Sequence, residues 1–277
     1  NATTRITRRG SDAPAVLLHH DITHGPFSLR GDRMFSLARV KTIAELEPGN
    51  GTSPLRTAFL NKIPLRATTQ IALNGAVNSR ITSPEDTWQS RDTEFTWGGL
   101  NGTVELLQGG QGGMDLDFRL PRMETNVPGK TGDVLVKDVR LSRSLRRDAQ
   151  GAIRNGTASF RCSRVEAHAA TWGGFRAESV ALRSHTERSN GLLRTETDLG
   201  FEKGRIGEVA IRQSDFRVLL ENLDGRALRQ WRDLLGQNPE DVSPKQLQGI
   251  AEDLLAKSPR MKTAELRMQT GEGEGRL

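Results

Sequence analysis

The feature that most limits how this chain can fold is a two-residue hydrophobic period. In GMDLDFRL (113–120), Met114, Leu116, Phe118 and Leu120 share one parity, and Asp115, Asp117 and Arg119 share the other. A helix would scatter these residues around its axis. A strand puts one set in the core and the other in water. The same pattern recurs in AVLLHHDITH, with Val16, Leu18, His20, Ile22 and His24 on one face, and in ATTQIALNGAV, with Ala67, Thr69, Ile71, Leu73 and Val77. It returns in LLRTETDLGF, through Leu193, Thr195, Thr197, Leu199 and Phe201, and in DFRVLLENL, through Phe216, Val218 and Leu220. Repeated stripes, apolar on one side and wet on the other, predict a half-solvated antiparallel sheet.

Turn residues separate the runs. QGGQGG (108–113), SNG (189–191) and EKG (202–204) read as hairpin connections, and EPGNGTSP (47–54) and NVPGKTGD (126–133) as loops. Asn-Gly-Thr, which begins at Asn50, Asn101 and Asn155, matches a glycosylation pattern but reads as turn material. One echo stands out. EFTWGGLNGTVEL (94–106) resembles AATWGGFRAESVAL (169–182), with Trp97 and Trp172 75 residues apart. Where the first copy has Asn101-Gly102, the second has Arg176-Ala177, which demands no turn. Both copies are therefore expected to be long strands passing through a Gly-Gly kink, in a repeated β-unit.

Near the C-terminus the period changes. In DGRALRQWRDLLG, Ala227, Leu228, Trp231, Leu234 and Leu235 share a helical face, with Asp224 as cap and Gly236 as stop. In SPKQLQGIAEDLLAKSP, Ser243, Pro244 and Gln246 form a capped start, and Leu247, Ile250, Ala251, Leu254 and Leu255 a stripe. These segments predict a two-helix hairpin over about 224–258 that buries its stripe on the sheet. Hydrophobic residues are 35% of the 277, aromatics 5%, and tyrosine is absent. That is too little apolar mass for a thick core. The fold class expected is mainly β: residues 1–277 as one elongated domain, a long curved antiparallel sheet with the helical hairpin on its concave face.

The formal charge of +6 invites a nucleic-acid reading, but 32 Arg against 8 Lys are scattered along the chain. The one dense cluster is Arg140, Arg143, Arg146 and Arg147. Nucleic acid is not the expected partner. Anionic lipid headgroups suit such a charge at least as well. The single Cys162 excludes an internal disulfide and a cysteine zinc cage. Three of the five histidines fall in HHDITHGPF (19–27). On a strand, His20 and His24 share a face about 13 Å apart at ~3.3 Å per residue, too far to share a metal, and His19 faces away. No nucleophile elbow, zinc-protease motif or phosphate loop occurs. No catalytic residue, metal or cofactor is expected, and no run of 18 apolar residues is present.

DITHGPFSL and the tail LLAKSPRMKTAELRMQTGEGEGRL resemble the YdgA-like family of bacterial envelope proteins. His24, Gly25, Pro26, Pro259, Gly271, Glu272 and Gly273 carry that resemblance. It implies a periplasmic protein tethered to the inner membrane by a helix outside this stretch, with no known activity. It also implies a structural role for His24, Gly25 and Pro26. With the curved sheet, it leads to the expectation of a non-enzymatic protein that holds a lipid or other amphipathic ligand in a β-groove lined by Trp97, Trp172, Leu228, Trp231 and Leu254. The alternative is a scaffold acting through protein–protein contacts and homodimerisation.

Overall fold

The computed structural model describes residues 1–6, 16–25, 36–46, 64–90, 93–108, 112–126, 133–148, 153–168, 174–225, 227–228, 230, 234, 243–270 and 273–276. The alternating stretches become seventeen strands of a single sheet, and every pairing in it is antiparallel. The first five are β1 (Ala2–Ile6), β2 (Val16–His24), β3 (Ser36–Leu46), β4 (Leu65–Ala72) and β5 (Val77–Ser83), each paired with the next. Then come β6 (Asp86–Ser90), β7 (Thr93–Trp97) and β8 (Leu100–Leu107), followed by β9 (Gly113–Asn126), β10 (Val134–Arg147), β11 (Ile153–Ala167) and β12 (Phe175–Ser189). The last are β13 (Leu192–Phe201), β14 (Lys203–Ile206), β15 (Val209–Asp224), β16 (Arg260–Thr270) and β17 (Glu274–Arg276).

Three of these breaks fall inside one long strand. β7 and β8 pair with β9 in a single register, Trp97 opposite Met123 and Asn101 opposite Arg119, while the Gly98 N–H donates to the Arg122 carbonyl at 2.7 Å. β5 and β6 keep one register against β8 and β7, and β13 and β14 keep one against β12. The expected kink at Gly98-Gly99 is therefore present. Asn101-Gly102 lies within β8, and a Cβ on Gly102 would sit 2.1 Å from Cδ1 of Phe118. The glycine there makes room for a ring, not a turn.

The breaks line up. Following the registers, Pro84, Gly99, Pro121, Asp138, Ser163, Ser179, Glu202 and Gln213 mark one line across eight successive long strands. On one side the sheltered positions are Phe118 and Leu120, Phe160 and Cys162, Val180 and Leu182. On the other they are Met123 and Thr125, Val165 and Ala167, Phe175 and Ala177. Each strand changes parity as it crosses. Left-handed backbone at Gly99 (φ 82°), Asp138 (φ 51°) and Ser179 (φ 54°) makes the change. For a residue with a Cβ that conformation costs about 1–2 kcal/mol. Local bonds offset it: Ser163 Oγ donates to Asp138 Oδ2 at 2.7 Å, and the buried Cys162 Sγ lies 3.1 Å from the carbonyls of Lys137 and Arg164.

The best-buried cluster sits on this crease. Trp88, Phe95 and Trp97 pack with Leu100 and Leu120 from one side of it and Met123 from the other, so the apolar face stays on one side of the sheet. The rings of Trp88 and Phe95 lie 4.6 Å apart at 37°, and Trp97 Nε1 donates to Ser83 Oγ at 3.0 Å.

Several expectations are corrected. Of the second Thr-Trp-Gly-Gly, Thr171 and Gly173 lie outside the described residues; Gly174 stands just before β12, whose Phe175 pairs with Ala167 at the end of β11, and is not inside a strand. Trp172 itself lies outside the described residues. Asn155-Gly156 is in β11, where a Cβ on Gly156 would be 3.2 Å from Leu145 Cδ1. EKG is the crease, and the turn comes later, at Gly207 (φ 57°). The SNG turn is as expected, with Asn190 and Gly191 both left-handed (φ 52° and 83°).

Among the described residues there is one helix with defined bounds, α1 (Pro244–Leu255), and it starts with the expected Ser243–Gln246 capping box. Asp224 Oδ1 accepts the Ala227 N–H at 3.1 Å, and positions 225, 227, 228, 230 and 234 are helical. The rest of 226–242, including Trp231, lies outside the described residues, and a two-helix hairpin is not supported. Nor does α1 bury its stripe on the sheet: Leu247 is 37% and Leu255 67% exposed. It connects β15 to its antiparallel neighbour β16, whose joined ends lie at one end of the sheet, and it meets the sheet beside β15.

Candidate functional site

The registers build a row that no single segment displays. Phe118 faces Leu141, which faces Phe160, then Leu182, Leu199, Phe216 and Leu266. Seven large apolar side chains thus lie side by side from β9 to β16. Six interstrand steps of ~4.8 Å make the row about 29 Å long. It is not covered: Leu141, Leu199 and Phe216 are 40%, 41% and 37% exposed. Hydroxyls border it on the same face, Thr197 donating to Ser184 at 3.2 Å and Thr186 meeting Thr195 at 3.1 Å. An apolar strip with a hydroxyl margin can take the chain and the head of an amphipathic molecule.

The opposite face is charged. Asp115 accepts two bonds from Arg146, at 2.7 and 2.9 Å, and this guanidinium holds its carboxyl below the usual carboxylate range against a smaller opposing effect of burial. Arg217 donates to Asp198 at 2.5 Å, and Arg267 to Glu265 at 2.7 Å. A depression of about 550 Å³ opens where β12, β13 and β15 present Ala181 and Gly200 among Arg183, Asp198, Asp215 and Arg217. A Cβ on Gly200 would meet Asp215 Oδ1 at 2.8 Å, so this hollow exists because the residue is glycine. A second depression, about 410 Å³, has the hydroxyls of Ser142, Thr157 and Ser159 with Arg183, His185 and Asp198.

The residues expected from the sequence do not meet in one groove. Trp97 is 7% exposed, inside the crease cluster. Leu254 is half-buried on α1, beside β15, and Leu228 is half-buried near the end of β15. Trp97 belongs to β7, six pairing steps from β15. Trp172 and Trp231 lie outside the described residues. At the histidine-rich stretch, His20 is hydrogen-bonded through Nδ1 to Thr42 (2.9 Å) and through Nε2 to Thr4 (3.1 Å). His24 ends β2, and the Gly25 N–H donates to the Leu37 carbonyl at 3.4 Å; Pro26 lies outside the described residues. The arginine cluster is divided, with Arg140 and Arg146 on the charged face and Arg143 on the apolar one. Sequence reasoning missed the apolar row because its members come from seven segments. The signal available was one large residue per stripe, without the register that aligns them.

Among known families, the model described as "Bacterial protein of unknown function (DUF945)" matches residues 3–277. No curated protein and no solved structure matches the chain.

Proposed function

The chain belongs to this bacterial family, and from that premise we propose that it is a non-enzymatic envelope protein of the YdgA-like branch, periplasmic and tethered to the inner membrane, that binds a lipid chain along one face of its sheet. The observation that carries the reading is the row from Phe118 to Leu266, with its exposed members Leu141, Leu199 and Phe216. A contiguous apolar strip left open to water favours an interaction surface. The row runs across the strands three residues from the crease, which gives a long chain a continuous apolar track to lie along. The hydroxyl pairs Ser184–Thr197 and Thr186–Thr195 receive the polar end.

Native mass spectrometry of the protein extracted from bacterial envelopes tests this. A bound mass in the phospholipid range, lost in Leu199→Asp/Phe216→Asp, is expected. A bare mass in the unaltered protein overturns it. The second reading is a scaffold that dimerises through sheet edges. Within the described residues β1 pairs only with β2, and β17 only with β16, so each has an edge open to another strand. A concentration-dependent dimer in light scattering supports that reading.

A further inference from the structure

The charged face holds an arrangement that folding alone does not explain. Arg140 of β10 stands directly opposite Arg119 of β9 on one side and Arg161 of β11 on the other. Like charges directly opposed across a sheet destabilise it. Elsewhere on this face, carboxylates answer the arginines: Asp115 takes Arg146, Asp198 takes Arg217 and Glu265 takes Arg267. Arg119 has Asp117 at 3.6 Å. Arg140 and Arg161 form no ion pair among the described residues, and neither does Arg183, because the carboxylate it faces, Asp198, is held by Arg217.

What borders these guanidiniums is small and hydroxylic. Ser142 and Ser159 lie next to Arg140 and Arg161 on the same face, with their Oγ atoms 2.7 Å apart, and both line the 410 Å³ depression. Arg183 lines it too, and Arg140 and Arg161 stand two residues along their strands from the serines; guanidinium and hydroxyl groups are the donors that a tetrahedral oxyanion accepts from. The hollow also decides between a discrete ligand and a bilayer. The hydroxyls sit in a recess, and Asp117, Glu196 and Asp198 surround it. A flat anionic surface would meet those carboxylates first.

We propose that Arg140, Arg161 and Arg183, with Ser142 and Ser159, form a binding site for the phosphoryl group of a discrete phosphorylated ligand. The site is on the face opposite the apolar row and does not depend on lipid binding there. Inorganic phosphate is the probe. Titration calorimetry should detect binding, and sodium phosphate should raise the melting temperature more than sodium chloride at equal ionic strength. In Arg140→Gln/Arg161→Gln the affinity should fall at least tenfold. The melting temperature without phosphate should stay level or rise, because the repulsion is gone. Arg161→Gln alone should give an intermediate loss and serves if the double variant does not fold. Chloride acting as well as phosphate, or a folded variant that responds like the parent, overturns the proposal. Arginine-dependent sedimentation with phosphatidylglycerol vesicles without any response to phosphate also overturns it, by making the partner a membrane.

Discussion

The two Thr-Trp-Gly-Gly segments share four residues and occupy different places. At 96–99 the chain stays in its sheet, paired with β9 on both sides of the glycines and held to Arg122 through the Gly98 N–H. In the second copy the described residue, Gly174, precedes β12, with Ala167 opposite Phe175. Both final glycines are left-handed, Gly99 at φ 82° and Gly174 at φ 99°, so the local conformation is alike. What differs is the neighbourhood. Gly99 has Ser83-Pro84-Glu85 of a flanking strand against it, whereas Gly174 has Ala167 and His168 of its own hairpin. A short motif sets a backbone torsion, and the strands beside it decide whether that torsion falls within a paired strand or ahead of one.

The strongest way to break this contrast is a one-residue insertion. An extra glycine after Gly99 slips β8 against β5 and β9 and turns its apolar face outward; destabilisation above about 4 kcal/mol is expected in urea unfolding. The same insertion after Gly174 lengthens a connection and should cost below about 1 kcal/mol. Equal effects would erase the distinction. Trp97→Ala comes next. It empties the crease cluster and should cost about 3–5 kcal/mol, and a loss under about 1 kcal/mol would mean that the aromatics do not hold the bend. Gly102→Val pushes a side chain into the Phe118 ring and should cost about 1–3 kcal/mol, read as a lower urea midpoint. Ser83→Ala removes the hydrogen bond from Trp97 Nε1 to Ser83 Oγ, for about 1 kcal/mol.

The smallest effect is on the charged face, away from either copy. Asp115 titrates below its ordinary value because Arg146 binds its ionised form. Its contribution is therefore present above about pH 4 and is lost as pH falls through the lowered folded value. The stability difference between the parent and Asp115→Asn should shrink between pH 6 and pH 3, and a difference that grows on acidification would contradict the pairing.

Much of the fold was legible. Met114, Leu116 and Phe118 gave β9 its faces, Ser243 and Gln246 gave α1 its start, and Asn190-Gly191 gave a turn, because each depends on residues close in the chain. Gly102 and Gly156 misled as turn signals, since their partners, Phe118 and Leu145, are sixteen and eleven residues away. The candidate sites were less legible still. Nothing near Arg140 in the sequence points to Arg119 or Arg161, and of the local cluster Arg140, Arg143, Arg146 and Arg147, alternation puts Arg140 and Arg143 on opposite faces.

The sequence by itself determined that the chain forms strands with one oily and one wet side, because alternation is a property of neighbouring residues and strand geometry has a period of two. Only the tertiary structure decided which stripes lie together: the crease, the row from Phe118 to Leu266 and the three facing arginines. Register is a relation between segments far apart in the chain, and it is set by pairing across the whole sheet.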